Sequence, residues 1–225
     1  MKKNKQHLIT CIKDQGVLPL FCYHSVDVST EVIRLIYKTG IRVIEYTNRG
    51  DAALTNFSAL KKIQEAEMPD LYLGIGTIKS VQDAERYISA GADFLVAPIV
   101  NADVADLANK NELLWIPGCM TPTEIYNAQN LGAQFVKLFP AGLLGPHFLS
   151  SIKKLFPDLL FIATGGVDLE QRCIRPWFQA GICAVGMGDK LITKKILDEG
   201  NYVSLFHNLQ KATNLIRSVK QIITQ

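Results

Sequence analysis

Strand-like and helix-like segments alternate along this chain without a break, and that alternation is the feature that most limits its fold. The predicted strands are near-continuous apolar runs, which are typical of parallel strands covered by helices on both faces. They are Val17–Tyr23, Ile41–Tyr46, Leu71–Gly74, Asp93–Ala97, Leu113–Ile116, Gln134–Phe139, Leu160–Ala163 and Cys183–Gly186. Eight strand-then-helix units in 225 residues predict an α/β fold, a closed (β/α)₈ TIM barrel, rather than an open sheet.

A weak internal repeat supports an even number of strands. Glycine, the favoured left-handed residue after a helix, precedes the second, fourth, sixth and eighth strands, at Gly40, Gly91, Gly132 and Gly181. Two of the odd strands instead follow Pro-Asp-Leu, at Pro69–Leu71 and Pro157–Leu159. No linker or low-complexity tract interrupts the pattern. We therefore expect residues 1–225 to form one barrel domain, with an N-terminal helix over residues 1–15 and a C-terminal helix over residues 202–222.

The composition excludes several classes of protein. A net charge of +3 is too small to indicate nucleic acid or a membrane surface as a partner. The start of the chain is too polar for a signal peptide, and no apolar run approaches the ~18 residues of a membrane span. The cysteines are odd in number, scattered and without a C-x-x-C pair, which predicts reduced thiols and a cytoplasmic location; they are Cys11, Cys22, Cys119, Cys173 and Cys183.

Lys137 is an unusual residue to find inside a predicted buried strand. Side chains alternate along a strand, so Phe135, Lys137 and Phe139 share one face. Burial among aromatic rings lowers the pKa of a lysine, and a neutral amine can attack a ketone. The structural alternative is a lysine at the end of a strand that reaches water or pairs with a carboxylate.

Chemistry in a TIM barrel takes place at the C-terminal ends of the strands. Glu45 ends the second predicted strand inside an apolar run, and Arg49 follows it. A carboxylate in such a place is either paired or functional. It is therefore a general acid/base whose pKa is raised by burial, or one half of a structural ion pair with Lys137 or Arg49.

Glycine-rich turns follow the last two predicted strands, at Thr164–Gly166 and Gly186–Gly188. TIM barrels often bind a phosphate group on backbone N–H groups at this position. Glycine is also what a tight turn after a strand requires for its backbone, so each turn alone is weak evidence. Their occurrence after two neighbouring strands favours a phosphate site.

The histidines and the remaining rim motif indicate no metal centre. None of the four histidines has metal-ligand spacing, although His24 and His147 have positions from which they could face the rim. Thr121–Glu124 is a capping box with proline at the first helical position, which predicts a helix start. We expect an activity that depends on neither a metal nor another cofactor.

Five motifs, taken together, resemble the Schiff-base aldolases that act on 2-keto-3-deoxy-6-phosphogluconate and 4-hydroxy-2-oxoglutarate. The resemblance extends from Val17 to the last helix, and its motifs keep the family's order and spacing. They are Ile41–Arg49, Gly74–Thr77, Trp115–Gly118, Val136–Ala141 and Thr164–Val167.

The resemblance implies a homotrimer of (β/α)₈ barrels that cleaves a 2-keto-3-deoxy acid to pyruvate and an aldehyde. In this chain it assigns the imine to Lys137 and proton transfer to Glu45. Arg49 and Thr77 would hold the pyruvyl carboxylate. The remaining predicted contacts to substrate or its phosphate are Pro98, Phe139, Thr164, Gly165, Gly166, Gly186, Gly188 and Asp189.

Asp189 departs from the family, which commonly has a serine after the last glycine. Aspartate caps a helix about as well as serine does, but it repels a phosphate dianion. An unphosphorylated 2-keto-3-deoxy acid, or 4-hydroxy-2-oxoglutarate, therefore stays an alternative to 2-dehydro-3-deoxy-6-phosphogluconate. Two further alternatives are another phosphate-binding barrel enzyme, which would need no imine, and a sugar-acid-binding relative without catalysis.

Overall fold

The computed structural model describes residues 4–224, and nine parallel strands form one sheet in them. The strands are β1 Val17–Phe21, β2 Val43–Thr47, β3 Tyr72–Gly76, β4 Phe94–Val96, β5 Leu114–Ile116, β6 Gly118–Cys119, β7 Phe135–Leu138, β8 Leu160–Thr164 and β9 Ala184–Met187. Their order is β5-β4-β3-β2-β1-β9-β8-β7-β6. β5 and β6 are separated only by Pro117, so the two ends of the sheet meet and close a TIM barrel. The predicted fold class is confirmed.

Helices alternate with these strands. They are α1 Lys5–Gln15, α2 Val26–Lys38, α3 Ala53–Glu67, α4 Val81–Ser89, α5 Ala102–Lys110, α6 Pro122–Asn130, α7 Ala141–Ile152, α8 Gln171–Ala180, α9 Lys194–Asp198 and α10 Tyr202–Thr224, with a 3₁₀ turn at Lys153–Leu155. The predicted N-terminal helix begins at Lys5, and residues 1–3 lie outside the described residues. Gly40, Gly91, Gly132 and Gly181 all have positive φ, which confirms their predicted role after helices.

Two apolar layers hold the barrel together. Side chains that point outward from the strands pack with the inner faces of the helices in one large core. Inward-pointing side chains such as Val43, Phe94 and Phe135 form a second core inside the barrel, and Leu8 and Ile12 of α1 belong to it. α1 therefore closes the N-terminal end of the barrel, which leaves the C-terminal end open for a ligand.

The differences from the predicted strands are small and have physical reasons. The first strand ends at Phe21 rather than Tyr23, and the second begins at Val43 rather than Ile41. After Phe21 the apolar run continues beyond the ladder, so hydrophobicity alone overestimates the first strand. Before Val43, the Arg42 N–H and the Val43 N–H both donate to the Gln15 side chain. The predicted fifth strand continues after Pro117 as β6, and there Lys137 N–H donates to the Pro117 carbonyl at 2.8 Å.

Candidate active site

Lys137 and Glu45 point into the barrel from opposite sides. Phe135 and Val43 belong to the interior core, so alternation places Lys137 and Glu45, each two residues further on, on the inner face as well. In the closed ring, β1, β9 and β8 separate β2 from β7 on one side, and β3, β4 and the β5–β6 pair separate them on the other. The two charged groups therefore face each other across the barrel.

The Lys137 side chain is 7% exposed. Burial lowers the pKa of its amine, nearby Arg49 lowers it further, and Glu45 opposes both effects. Its Nζ lies 4.9 Å from the centre of the Phe139 ring, and the residues paired with it on the neighbouring strands are Gly118 and Ile162. Lys137 forms no ion pair with any described residue. It therefore matches neither structural alternative, because it is neither solvated nor paired.

Glu45 is more deeply buried, with 2% of its surface exposed. Burial raises the pKa of its carboxyl group, and the positive charges of Lys137 and Arg49 oppose that shift. Residues 4–224 contain no ion pair that involves this carboxyl group. A carboxyl group with a raised pKa, opposite an amine with a lowered pKa, suits a site that transfers protons.

The loop after β2 brings Arg49 to the rim. Asn48 N–H donates to the Gly76 carbonyl at 2.9 Å, and the Tyr87 hydroxyl donates to Asn48 Oδ1 at 2.8 Å, so the loop is attached on both sides. Arg49 is exposed and lines a cavity of about 340 Å³ that Thr47, His24 and Asp189 also line. Its guanidinium group makes no ion pair with the described residues, so it is free to bind an anion.

Thr77 follows β3 directly and has a φ of 64°. A β-branched residue in this region is strained, and strained residues cluster at functional sites. Thr77 is half-buried at the rim. The strand it follows, β3, pairs with β2, which carries Glu45. The position agrees with the predicted contact between Thr77 and a ligand.

The two glycine-rich turns lie side by side. Thr164 pairs in register with Gly186, and a Cβ on Gly186 would overlap Thr164 Oγ1 and lie 3.0 Å from its Cγ2. Gly165 and Gly166 have φ values of 88° and 82°. A Cβ on Gly165 would lie 3.3 Å from the ring of Phe139, which also contacts Lys137. The Phe139 ring therefore lies close both to Lys137 and to the glycine-rich turn that follows β8.

The structure also locates the other predicted residues. Pro98 follows β4 at the rim, where a Cβ on Gly118 would lie 2.6 Å from its carbonyl carbon. Gly188 approaches Leu20 of β1, and Asp189 is exposed at the cavity described above. The capping box at Thr121 is present and starts α6. His24 lines the rim cavity, whereas His147 is exposed on α7.

Thr47 is an inner-wall residue that was not among the predicted site residues. Thr47 is 2% exposed, points inward two residues after Glu45, and lines the same cavity as Arg49. Its spacing of two residues from Glu45 predicts that the Thr47 side chain points into the barrel.

Among residues 4–224 there is no group of three or more His, Cys, Asp or Glu that could hold a metal ion, and none of the helices there has the length and hydropathy for crossing a membrane.

Comparison with known proteins identifies the class of enzyme. The family model described as "KDPG and KHG aldolase" matches residues 8–207. A 2-dehydro-3-deoxy-phosphogluconate aldolase of Pseudoalteromonas atlantica is 31% identical over 170 residues, which cover 75% of this chain and 77% of that protein. The enzyme of the same name from Treponema pallidum is 32% identical over 154 residues, or 68% and 71% of the two chains.

A solved structure supports the fold. The KDPG aldolase of Legionella pneumophila, with pyruvate captured as a covalent carbinolamine, has a TM-score of 0.84 at 21% identity and covers 94% of this chain and 99% of its own. The chain is a class I aldolase, a carbon–carbon lyase. It belongs to the KDPG and KHG aldolase family.

Proposed function

We propose that this aldolase cleaves a 2-keto-3-deoxy sugar acid, with 2-dehydro-3-deoxy-6-phosphogluconate as the first candidate substrate, to pyruvate and glyceraldehyde 3-phosphate. The observation that carries the proposal is the buried, unpaired Lys137 opposite the buried Glu45. The names of the relatives from Pseudoalteromonas atlantica and Treponema pallidum support the substrate.

In the proposed reaction, neutral Lys137 attacks the C2 ketone and forms a carbinolamine. Protonated Glu45 donates the proton with which the hydroxyl group leaves as water, and an iminium ion forms. The Glu45 carboxylate, directly or through a water molecule, then removes the proton of the C4 hydroxyl group. The C3–C4 bond breaks, its electrons move into the iminium, and an aldehyde and an enamine remain. Protonation of the enamine at C3 and hydrolysis of the iminium release pyruvate and restore Lys137.

The rim residues would hold the two ends of the substrate. Arg49 suits the carboxylate, because a guanidinium group can bind both oxygens at once, and Thr77 is the second contact. Phe139 and Pro98 would form walls beside the reacting carbons. The phosphate would bind to the turns of β8 and β9, through Thr164, Gly165, Gly166, Gly186 and Gly188.

The direct test is cleavage by the purified chain, with pyruvate measured through lactate dehydrogenase and NADH. We expect pyruvate from 2-dehydro-3-deoxy-6-phosphogluconate in the presence of a chelator. Absence of pyruvate from this substrate, from its unphosphorylated form and from 4-hydroxy-2-oxoglutarate would contradict the proposal.

Asp189 favours a second candidate substrate, the unphosphorylated 2-keto-3-deoxy acid. The neighbouring Lys190 pairs with Asp168 at 2.8 Å, whereas Asp189 has no ion pair with the described residues. An uncompensated carboxylate beside the phosphate turn would oppose a phosphate by about 1–3 kcal/mol after screening, or roughly 5–150-fold in affinity.

Replacing Asp189 with serine is therefore expected to raise kcat/KM for the phosphorylated substrate by roughly 5–150-fold. The variant should change little on the unphosphorylated substrate, since no charge is repelled there. Asp158→Ser, which removes an exposed carboxylate before β8 at the opposite end of the barrel, serves as the matched control. If the wild-type enzyme already prefers the phosphorylated substrate by several orders of magnitude and Asp189→Ser adds nothing, Asp189 does not face the phosphate.

We also propose a homotrimer in the cytoplasm. Four exposed apolar residues follow the strands β4, β6 and β7 and would form contacts between subunits; they are Ile99, Met120, Tyr126 and Leu143. All five cysteines are free thiols, which suits a reducing compartment. Light scattering with size-exclusion chromatography measures the subunit number, and a monomeric mass would refute the trimer.

A further inference from the structure

Two inward-facing glycines leave hollows in the wall of the barrel. Gly74 and Gly76 lie on β3, and neither has a positive φ, so space rather than backbone conformation is the reason for glycine at both positions. A Cβ on Gly74 would lie 2.5 Å from Cδ1 of Phe94, whose ring fills the first hollow. A Cβ on Gly76 would overlap Glu45 Oε1 and lie 2.5 Å from its Cδ. The carboxyl group of Glu45 therefore fills the second hollow.

The position of the Glu45 carboxyl group determines how strongly its charge acts on the amine of Lys137. The charged groups that act on its amine are Glu45 and Arg49, and the residues that pair with it on β6 and β8 are the uncharged Gly118 and Ile162. If a side chain at position 76 filled the hollow, the Glu45 carboxyl group would have to move from the wall towards the barrel axis. That movement brings it closer to Lys137, on the opposite strand, and strengthens their attraction.

We propose that Gly76 is a positioning residue, which holds the Glu45 carboxyl group against the barrel wall and so keeps it from forming an ion pair with Lys137. A close carboxylate would stabilise the ammonium form of the lysine, which cannot attack a ketone. The separation keeps the amine available and leaves Glu45 within reach of the substrate's oxygens. The inference rests on the imine chemistry proposed above.

The test compares Gly76→Ala with the wild-type enzyme in the rate of reductive trapping of pyruvate by cyanoborohydride, measured as a function of pH. We expect the pH at which trapping is half-maximal to rise by about one unit in the variant, with about tenfold slower trapping at neutral pH. Combining Gly76→Ala with Glu45→Asp shortens the acid by one methylene group and should restore most of the wild-type profile. A folded Gly76→Ala enzyme with an unchanged pH profile would overturn the inference.

Three outcomes separate the possible failures. If Gly76→Ala does not fold, the double variant with Glu45→Ala removes the clash and must fold, and its failure to fold would overturn the inference. If the wild-type enzyme itself traps no pyruvate, the proposed imine chemistry is wrong and the role of Gly76 falls with it. Trapping in the wild type without a shift in the variant contradicts the role of Gly76 alone.

Discussion

Replacing Lys137 with arginine is expected to reduce aldol cleavage to an undetectable level. Arginine keeps the positive charge, but its guanidinium group stays protonated and forms no imine with a ketone. Loss of a covalent nucleophile removes the whole reaction path, so the effect on kcat is the largest that the proposed mechanism predicts. The measurement is the coupled pyruvate assay on the purified variant.

Two controls make the result for Lys137 specific. Lys137→Met is similar in shape and uncharged, so it is expected to fold and to be equally inactive, which separates the missing amine from the charge. Lys154→Arg changes an exposed lysine and should leave kcat unchanged. Cleavage by Lys137→Met at more than a few per cent of the wild-type rate would show that the reaction does not need an imine at Lys137.

Replacing Glu45 with glutamine is expected to lower kcat by about 10²–10⁴, the usual contribution of general acid–base catalysis. Glutamine is nearly isosteric, so it should occupy the same hollow beside Gly76 while being unable to transfer protons. Slow trapping of pyruvate on Lys137 should persist. A change in kcat of less than about tenfold would show that Glu45 has only a structural role.

Glu45 also predicts a pH dependence of stability. Burial raises the pKa of its carboxyl group in the folded state, so the folded state binds this proton more tightly than the unfolded state does. This contribution to stability is present at pH values below the unfolded pKa and is lost as the pH rises towards the folded pKa. Glu45→Gln has no proton to lose, so its Tm relative to that of the wild type should increase over this pH range, as calorimetry can measure.

The sequence was sufficient to predict the barrel because a parallel strand buried on both faces must be apolar nearly throughout. The same pattern explains why Lys137 and Glu45 were recognisable, since a charged residue inside such a run has few structural uses. The strand end at Phe21 was less predictable, because apolar residues continue there beyond the last ladder bond.

Features of the site that depend on packing between strands were not predictable. The hollow at Gly76 exists because β3 lies beside β2 in a particular register, which the sequence of either strand alone does not specify. The pairing of Lys190 with Asp168 likewise joins the turns after β9 and β8, which are far apart in the chain. Only the closed barrel brings such groups together.

The central claim is that a neutral amine on Lys137 forms an imine with the substrate, and covalent trapping tests it most directly. The wild-type enzyme is incubated with pyruvate, reduced with borohydride, digested and analysed by peptide mass spectrometry. The account predicts one reduced pyruvate adduct on the peptide that contains Lys137, and none in Lys137→Met. Unmodified protein, or label distributed over exposed lysines such as Lys154 and Lys195, would contradict it.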